Sequence, residues 1–250
     1  MNFDLEFAVQ NFFQAVLGIP TTLLIVAVAV AIGLPLAFLI ALARIHKVPV
    51  LHTILTLFIS FMRGTPMVVQ IFLIYNGMPV LLGILAEAFG KTFDVYAVNP
   101  IIYAFVVFSL NIAAGYSEMW KAGLSEVGKG QFEASYIVGL SSFQTYTKVI
   151  IPQAFGVIAP SFCSSTLNML KNTSLVFIMT VMDITARAKM AAGLEYKYVE
   201  GYVDLLIVYI IVCSTLEWLF KKYEKHITRY KTENYGYKKK PKIETGVSYD

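Results

Sequence analysis

The sequence predicts an all-α, polytopic membrane protein with five transmembrane helices, and three observations lead there. Hydrophobic residues make up 57% of the chain against 14% charged, with a mean hydropathy of +0.66, far more apolar than a water-soluble domain. The apolar residues gather into long runs nearly free of charge, each close to the ~20 residues that a crossing helix needs. Five such runs and their connections consume the 250 residues and leave no length for a sizeable soluble domain. Any catalytic engine therefore belongs on another chain.

The first run, Leu17 to Ala43, is uncharged and ends at Arg44, His46 and Lys47. Asp4 and Glu6 stand where a secretory leader would carry basic residues, so this run is expected to be retained as a span. The second apolar region begins near Leu51, breaks at Arg63-Gly-Thr-Pro66 and resumes from Met67 to Ala86. That length predicts either a separate helix near the interface followed by a span, or one long span bent at Gly64 and Pro66. Val95 to Ser117 is the third run, Val149 to Leu170 the fourth, and Gly201 to Phe220 the fifth, with Asp204 and Glu217 near its ends. Between the last two, Lys171-Asn-Thr-Ser174 interrupts the apolar pattern before it resumes to Met182, which predicts a crossing helix, a polar break and a shorter helix near the far surface. Cys163 and Cys213 both lie in apolar runs, where a thiol packs as a small hydrophobe.

Five crossings place the termini on opposite sides, and the basic residues choose which. With the N-terminus outside, the cytoplasmic side holds Arg44, Lys47, Lys121, Lys129, Lys148 and the Lys/Arg-rich stretch from Lys221 to Lys242; the outer side holds only Lys91, Arg187, Lys189 and Lys197. The positive-inside bias selects this orientation. Residues 1–220 form the membrane domain, with a polar loop at 126–152. The basic tail, 221–250, has no apolar periodicity and is expected to be solvated and drawn to anionic lipid.

The loop is the least lipid-like internal segment. Gly139 stands where a left-handed residue ends a helix, and Ser141 with Gln144 forms a capping box that starts another running towards Pro152. Two short helices thus meet at a Gly-Leu-Ser corner. A DNA-reading helix pair needs a basic recognition face, and Ser141 to Thr147 carries no positive charge, so nucleic acid is excluded as a partner. Small residues at Ala134 and Ser135, beside Glu133, would let a partner backbone approach closely.

Gly130-Gln-Phe-Glu-Ala-Ser-Tyr-Ile-Val-Gly-Leu140-Ser, followed by Ile150-Ile-Pro152-Gln-Ala, resembles the EAA loop of ABC importer permeases, with Ser135 where the family usually has Ala. Arg63-Gly-Thr-Pro-Met-Val-Val-Gln70, Ile74-Tyr-Asn-Gly-Met-Pro79, Ser109 to Glu118 and Lys171-Asn-Thr-Ser-Leu175 are similar to the marks of permeases for polar amino acids, in the same order. Gly115 and Ser117 depart from the family's usual Ala-Tyr-X-Ala-Glu pattern. The resemblance implies a type I importer in the bacterial inner membrane. Two permease subunits, the second a copy or a relative, would form the pathway, and an extracytoplasmic binding protein would deliver an amino acid. Two cytoplasmic ATPase subunits would hold ATP and Mg, with no cofactor on this chain. Glu133, Ala134, Ser135, Gly139 and Leu140 would form the coupling helix docked on the ATPase. Ala186 to Tyr202 is similar to permeases for cystine and related sulfur amino acids.

Polar residues at membrane depth are costly and mark functional positions. Lys171, Asn172, Thr173 and Ser174 offer a cation and hydrogen-bonding groups at a helix break, as a zwitterion would require, or they satisfy the break itself. Arg63, Thr65 and Gln70 form a second cluster, and Arg63 either meets substrate or anchors at the interface. Glu118 is expected to pair with Lys121 or to hold the loop, and Asn111, Tyr75 and Tyr116 to pack against neighbouring helices. His46, His52 and His226 form no metal set, and neither a phosphate-binding Walker motif nor a nucleophile elbow is present, so the chain is not expected to hydrolyse ATP. A carrier driven by an ion gradient is the alternative, but it would have no use for a partner-facing corner.

Overall fold

The computed structural model describes residues 3–90, 94 and 97–234, with side chains through 223. Lys91, Val95 and the Lys238–Lys242 cluster lie outside the described residues. The described chain is helical: α1 Leu5–Val16, α2 Ile19–Ile45, α3 Leu51–Gly64, α4 Met67–Ala88, α5 Pro100–Glu126, α6 Lys129–Ile137, α7 Ser142–Thr145, α8 Ile151–Asn172, α9 Ile184–Leu194 and α10 Tyr198–Asn234. Five helical segments are long and apolar enough to cross a membrane.

The frame is the packing of α2 on α5. Ala29, Gly33, Ala37 and Ala41 recur every fourth residue and are buried, making a smooth stripe on α2. At Gly33 a Cβ would lie 2.5 Å from the Ile112 side chain and 2.8 Å from the Ser109 carbonyl, so only glycine permits this approach. Close van der Waals contact of this kind holds helices together in lipid, where burying apolar surface gains little. Asn99 caps α5 by accepting from the Ile101 amide at 3.1 Å, and Pro100 fits the first turn. The helix runs past the expected end at Ser117 to Glu126, because Tyr116, Trp120 and Leu124 continue its buried face.

The sequence pattern did not predict α1, whose 12 residues are too few to cross a bilayer. Asp4 caps it, and Phe7, Ala8, Asn11 and Ala15 face inward while Leu5, Val9 and Phe13 stay exposed. The Asn11 Nδ2 donates to Asp204 Oδ2 at 2.8 Å and the Asp4 amide to Glu200 Oε1 at 3.0 Å, fastening α1 to the start of α10.

The Arg63-to-Pro66 break separates two helices, the first of the expected alternatives. Thr65 and Pro66 are extended, the conformation that a following or resident proline favours. Gln70, only 2% exposed, holds this corner. Its Nε2 donates to the Met62 carbonyl at 2.7 Å and to the Thr65 carbonyl and hydroxyl at 3.1 and 3.0 Å. Its Oε1 accepts from Asn111 Nδ2 at 3.0 Å, tying the corner to α5.

The expected break after Leu170 is a tightening of the helix rather than an interruption. α8 passes into a 3-10 helix over Thr173–Met179, which stops at Thr180 in the left-handed region (φ +59°). Asp183 then caps α9, accepting from the Ala186 amide at 2.7 Å. Its corner is pressed onto the start of α2, where a Cβ on Gly18 would lie 2.4 Å from the Asp183 carbonyl carbon.

Two predictions follow from these buried polar groups. Gln70→Ala leaves the Met62 and Thr65 carbonyls and the Asn111 amide unpaired, and is expected to destabilise the protein by about 2–3 kcal/mol. Gln70→Glu should not rescue it, since a carboxylate cannot donate; melting of the detergent-solubilised protein checks both. The second concerns Asp183, which has no exposed surface and whose Oδ2 has no hydrogen-bond partner. Burial raises its pKa to about 6 against the hydrogen bonds that favour its charge. The folded state thus binds this proton more tightly, a contribution fully present below the ordinary carboxyl pKa and lost as pH rises through about 6. Asp183→Asn keeps the cap and should remove this pH dependence, on the order of 3 kcal/mol, from melting curves between pH 4 and 7; parallel curves for the two proteins would contradict it.

Candidate functional site

Where α3, α5 and α8 meet, a cleft of ≈ 370 Å³ opens in the side of the membrane domain. Its polar lining comes from Arg63 at the end of α3, Asn111 and Glu118 on α5, and Ser165, Asn168 and Asn172 on α8. Ile112, Gly115, Tyr116, Met119 and Met169 complete the walls. Tyr116 is fixed by Thr166, hydroxyl to hydroxyl at 2.6 Å, and by the Phe162 ring at 5.0 Å. Asn111 is oriented by Gln70 from behind.

Glu118 does not pair with Lys121; its carboxylate takes the guanidinium of Arg44, from the last turn of α2. Arg44, seven residues after Ala37, continues the buried stripe of α2 and meets Glu118 across the α2–α5 seam, which a reading of neighbours along a single helix does not anticipate. Arg63 and the carboxylate of the Arg44–Glu118 ion pair thus share one cleft with three asparagine amides. Such a set offers a carboxylate a cation, and its amide groups can both donate to and accept from a polar ligand. Hydrocarbon cannot solvate these groups, so the open side of the cleft faces water or another protein.

The sequence candidates divide. Arg63 and Asn172 line the cleft. Lys171 is exposed and lies within electrostatic reach of Cys213 and Glu217 on α10, on another face of α8. Thr173 is buried and donates to the Leu170 carbonyl at 2.6 Å, while Ser174 is half-buried. Thr65 donates to the Phe61 carbonyl at 2.8 Å and serves the corner with Gln70. Asn168 and Ser165 were not singled out from the sequence. Their spacing of four and seven residues before Asn172 was the available signal, one polar face along α8.

At the end of the domain formed by the C-terminus of α2, the 126–152 loop has the expected geometry. Gly139 is left-handed (φ +78°), and the Leu140 and Gly139 amides donate back to the Ser135 and Tyr136 carbonyls at 3.0 Å each, a Schellman closure of α6. Ser141 accepts from the Gln144 amide while Gln144 Oε1 accepts from the Ser141 amide at 3.0 Å, completing the capping box. Glu133 and Ala134 are exposed, Leu140 half-buried, and Ser135 buried with its hydroxyl on the Gln131 carbonyl. The corner also displays Ile137 at 85% exposure, Val138 at 73% and Phe143 at 77%, an apolar knob that the sequence reading passed over. The π turn Tyr146–Ile150 joins this corner to α8, and Tyr146 touches both the Phe132 ring (5.3 Å) and His46 (3.3 Å).

Among the described residues no three His, Cys, Asp or Glu side chains come together to hold a metal. Over residues 33–229 the chain matches the family described as "Binding-protein-dependent transport system inner membrane component". It is 34% identical to the L-cystine transport system permease TcyL of Bacillus subtilis strain 168, covering 86% of this chain and 87% of that one. It is 36% identical to the probable amino-acid permease YxeN of the same organism, covering 88% and 95%. A crystal structure of an amino acid ABC transporter with histidines superposes with a TM-score of 0.73 at 27% identity, over 90% of this chain and 100% of the other. The inward-facing MetNI methionine ABC transporter shares the fold, with a TM-score of 0.65 at 16% identity over 88% and 96%. The chain belongs to the binding-protein-dependent inner-membrane transport components: it is the membrane subunit of an ATP-driven importer, not an enzyme, and ATP is hydrolysed on a separate subunit.

Proposed function

We propose that this chain forms the membrane pathway for an amino acid, with the α3–α5–α8 cleft as its station within the bilayer. The observation that carries the reading is the cleft itself, in which Arg63 can meet a carboxylate, and the amides of Asn111, Asn168 and Asn172 can accept from an ammonium and fill the remaining hydrogen-bonding positions. The relatives named for L-cystine and other amino acids support the substrate class. Lys171, Thr173 and Ser174 would act at the tightened turn where α8 passes into the 3-10 helix, and Thr65 and Gln70 through the corner that orients Asn111.

A second permease subunit, a copy or a relative, would cover the open side. The N-terminus would lie outside and the C-terminus in the cytoplasm of a bacterial cell, with an extracytoplasmic binding protein above and two ATPase subunits, holding ATP and Mg, below. The exposed corner at Glu133, Ala134, Gly139 and Leu140, with Ile137, Val138 and Phe143, would dock on the ATPase. Two short helices locked by hydrogen bonds at their shared corner would transmit displacement as a unit, so ATPase closure would move α5 and α8 together.

Reconstituted with its ATPase and binding protein, the chain is expected to take up amino acids only with ATP, unaffected by an uncoupler; uptake by the chain alone, abolished by an uncoupler, would overturn the reading. Gly139→Val places a β-branched residue in left-handed backbone and is expected to lower transport-coupled ATP hydrolysis about ten-fold or more while assembly in the membrane persists. Undiminished coupling in that variant would remove the corner from the drive.

A further inference from the structure

Gly115 sits in the interior of α5, where glycine is destabilising relative to alanine, and neither of the ordinary reasons for it applies. Its backbone is not left-handed, and a Cβ there would find no atom within 4 Å. Gly33 and Gly123 differ, since a Cβ on either would lie 2.5 Å from an isoleucine of the neighbouring helix. What Gly115 opens is the wall of the cleft, which it lines.

Beside this gap the cleft changes character. Met119 follows one turn along α5, and Met169 faces it from α8. The Ser165 hydroxyl donates to the Met119 sulfur at 3.7 Å, and Tyr116, held by Thr166 and Phe162, lines the same space. Two thioethers, a phenol ring and a missing side chain make a soft, polarizable recess next to the charged and amide groups. Methionine walls adapt to irregular apolar groups and favour sulfur–aromatic contact.

We infer that Gly115, Met119 and Met169 form the side-chain subsite of the cleft and select amino acids whose long, unbranched side chain carries sulfur, as a thioether or a disulfide. The inference rests on the reading of the cleft as an amino-acid site and adds what distinguishes one amino acid from another there. The polar groups hold the part common to all amino acids, and the recess is filled by what differs. A short side chain leaves it empty.

The test is direct binding of labelled L-cystine, L-methionine and L-serine to the assembled permease–ATPase complex without its binding protein, which would otherwise impose its own selectivity. Gly115→Val fills the recess and is expected to weaken L-cystine and L-methionine by about ten-fold or more while L-serine changes little. Met119→Leu keeps the volume and removes the sulfur, and is expected to weaken both sulfur ligands by about two- to ten-fold. Gly115→Ala, whose added methyl meets nothing in this chain, serves where Gly115→Val does not assemble. Loss of L-cystine alone in Gly115→Ala identifies the disulfide, and parallel loss of L-methionine the thioether. Equal loss of all three ligands in Gly115→Val would show that the glycine serves subunit packing and would overturn the subsite. Unchanged preference in both variants, or wild-type preference for L-serine, would also overturn it. A wild-type complex that binds none of the three would overturn the amino-acid reading, and the subsite with it.

Discussion

The close approach of α2 to α5 is the contact on which the rest of the molecule depends. A stripe of alanine and glycine lets the α2 backbone come so near that a methyl group at Gly33 would collide with Ile112 and the Ser109 carbonyl. In water such a seam would be secondary to burial of larger side chains; in hydrocarbon, packing density is what remains to distinguish one helix partner from another. Once α5 is fixed, its other faces receive α3, α4 and α8, and its Gly123 admits Ile158 of α8 at similarly short range. The Arg44–Glu118 pair then locks the seam at one end, with Arg44 largely shielded from solvent. Removing either partner would strand a charge, so the pair fixes the helices' relative slide more than it adds to stability.

Polar groups in this domain serve two distinct ends, and burial separates them. Gln70, Thr173 and Asp183 are enclosed and spend their hydrogen-bonding capacity on a corner, a helix turn and a cap. Arg63, Asn168 and Asn172 stay exposed on one side of α3 and α8. Leaving them so would be costly in lipid unless something polar covers them, and the cleft between them is where that cost has a use.

This division also explains what the sequence could and could not disclose. The 126–152 corner was legible because caps are local: Gly139, Ser141 and Gln144 act on backbone within a few residues, whatever surrounds them. The crossing helices were legible because an uncharged run of ~20 residues has one use. α1 was hidden because its inward face is read only against α9 and α10, through Asn11 and Phe7. The cleft was half legible. Arg63 and Asn172 stood out as polar groups at helix breaks, but Asn168 and Ser165 share that wall only because α8 lies across α5 at Tyr116 and Met119. Gln70 and Arg63 look alike in sequence as polar residues flanking the same proline, and only the structure separates the buried clasp from the group that lines the cleft.

The route from the corner to the cleft is short and has a defined weak point. α8 carries Ser165, Asn168 and Asn172 into the cleft, and its other end continues through the π turn into α7 and the exposed corner. In that turn the Ile151 amide bonds five residues back to Tyr146, and Pro152 has no amide to offer Lys148, so the chain gains one residue per turn there. Tyr146, held between Phe132 and His46, keeps the corner seated on α6 and the end of α2. A displacement of the corner, where the proposed ATPase contact lies, would therefore reach the cleft along α8 by way of this turn.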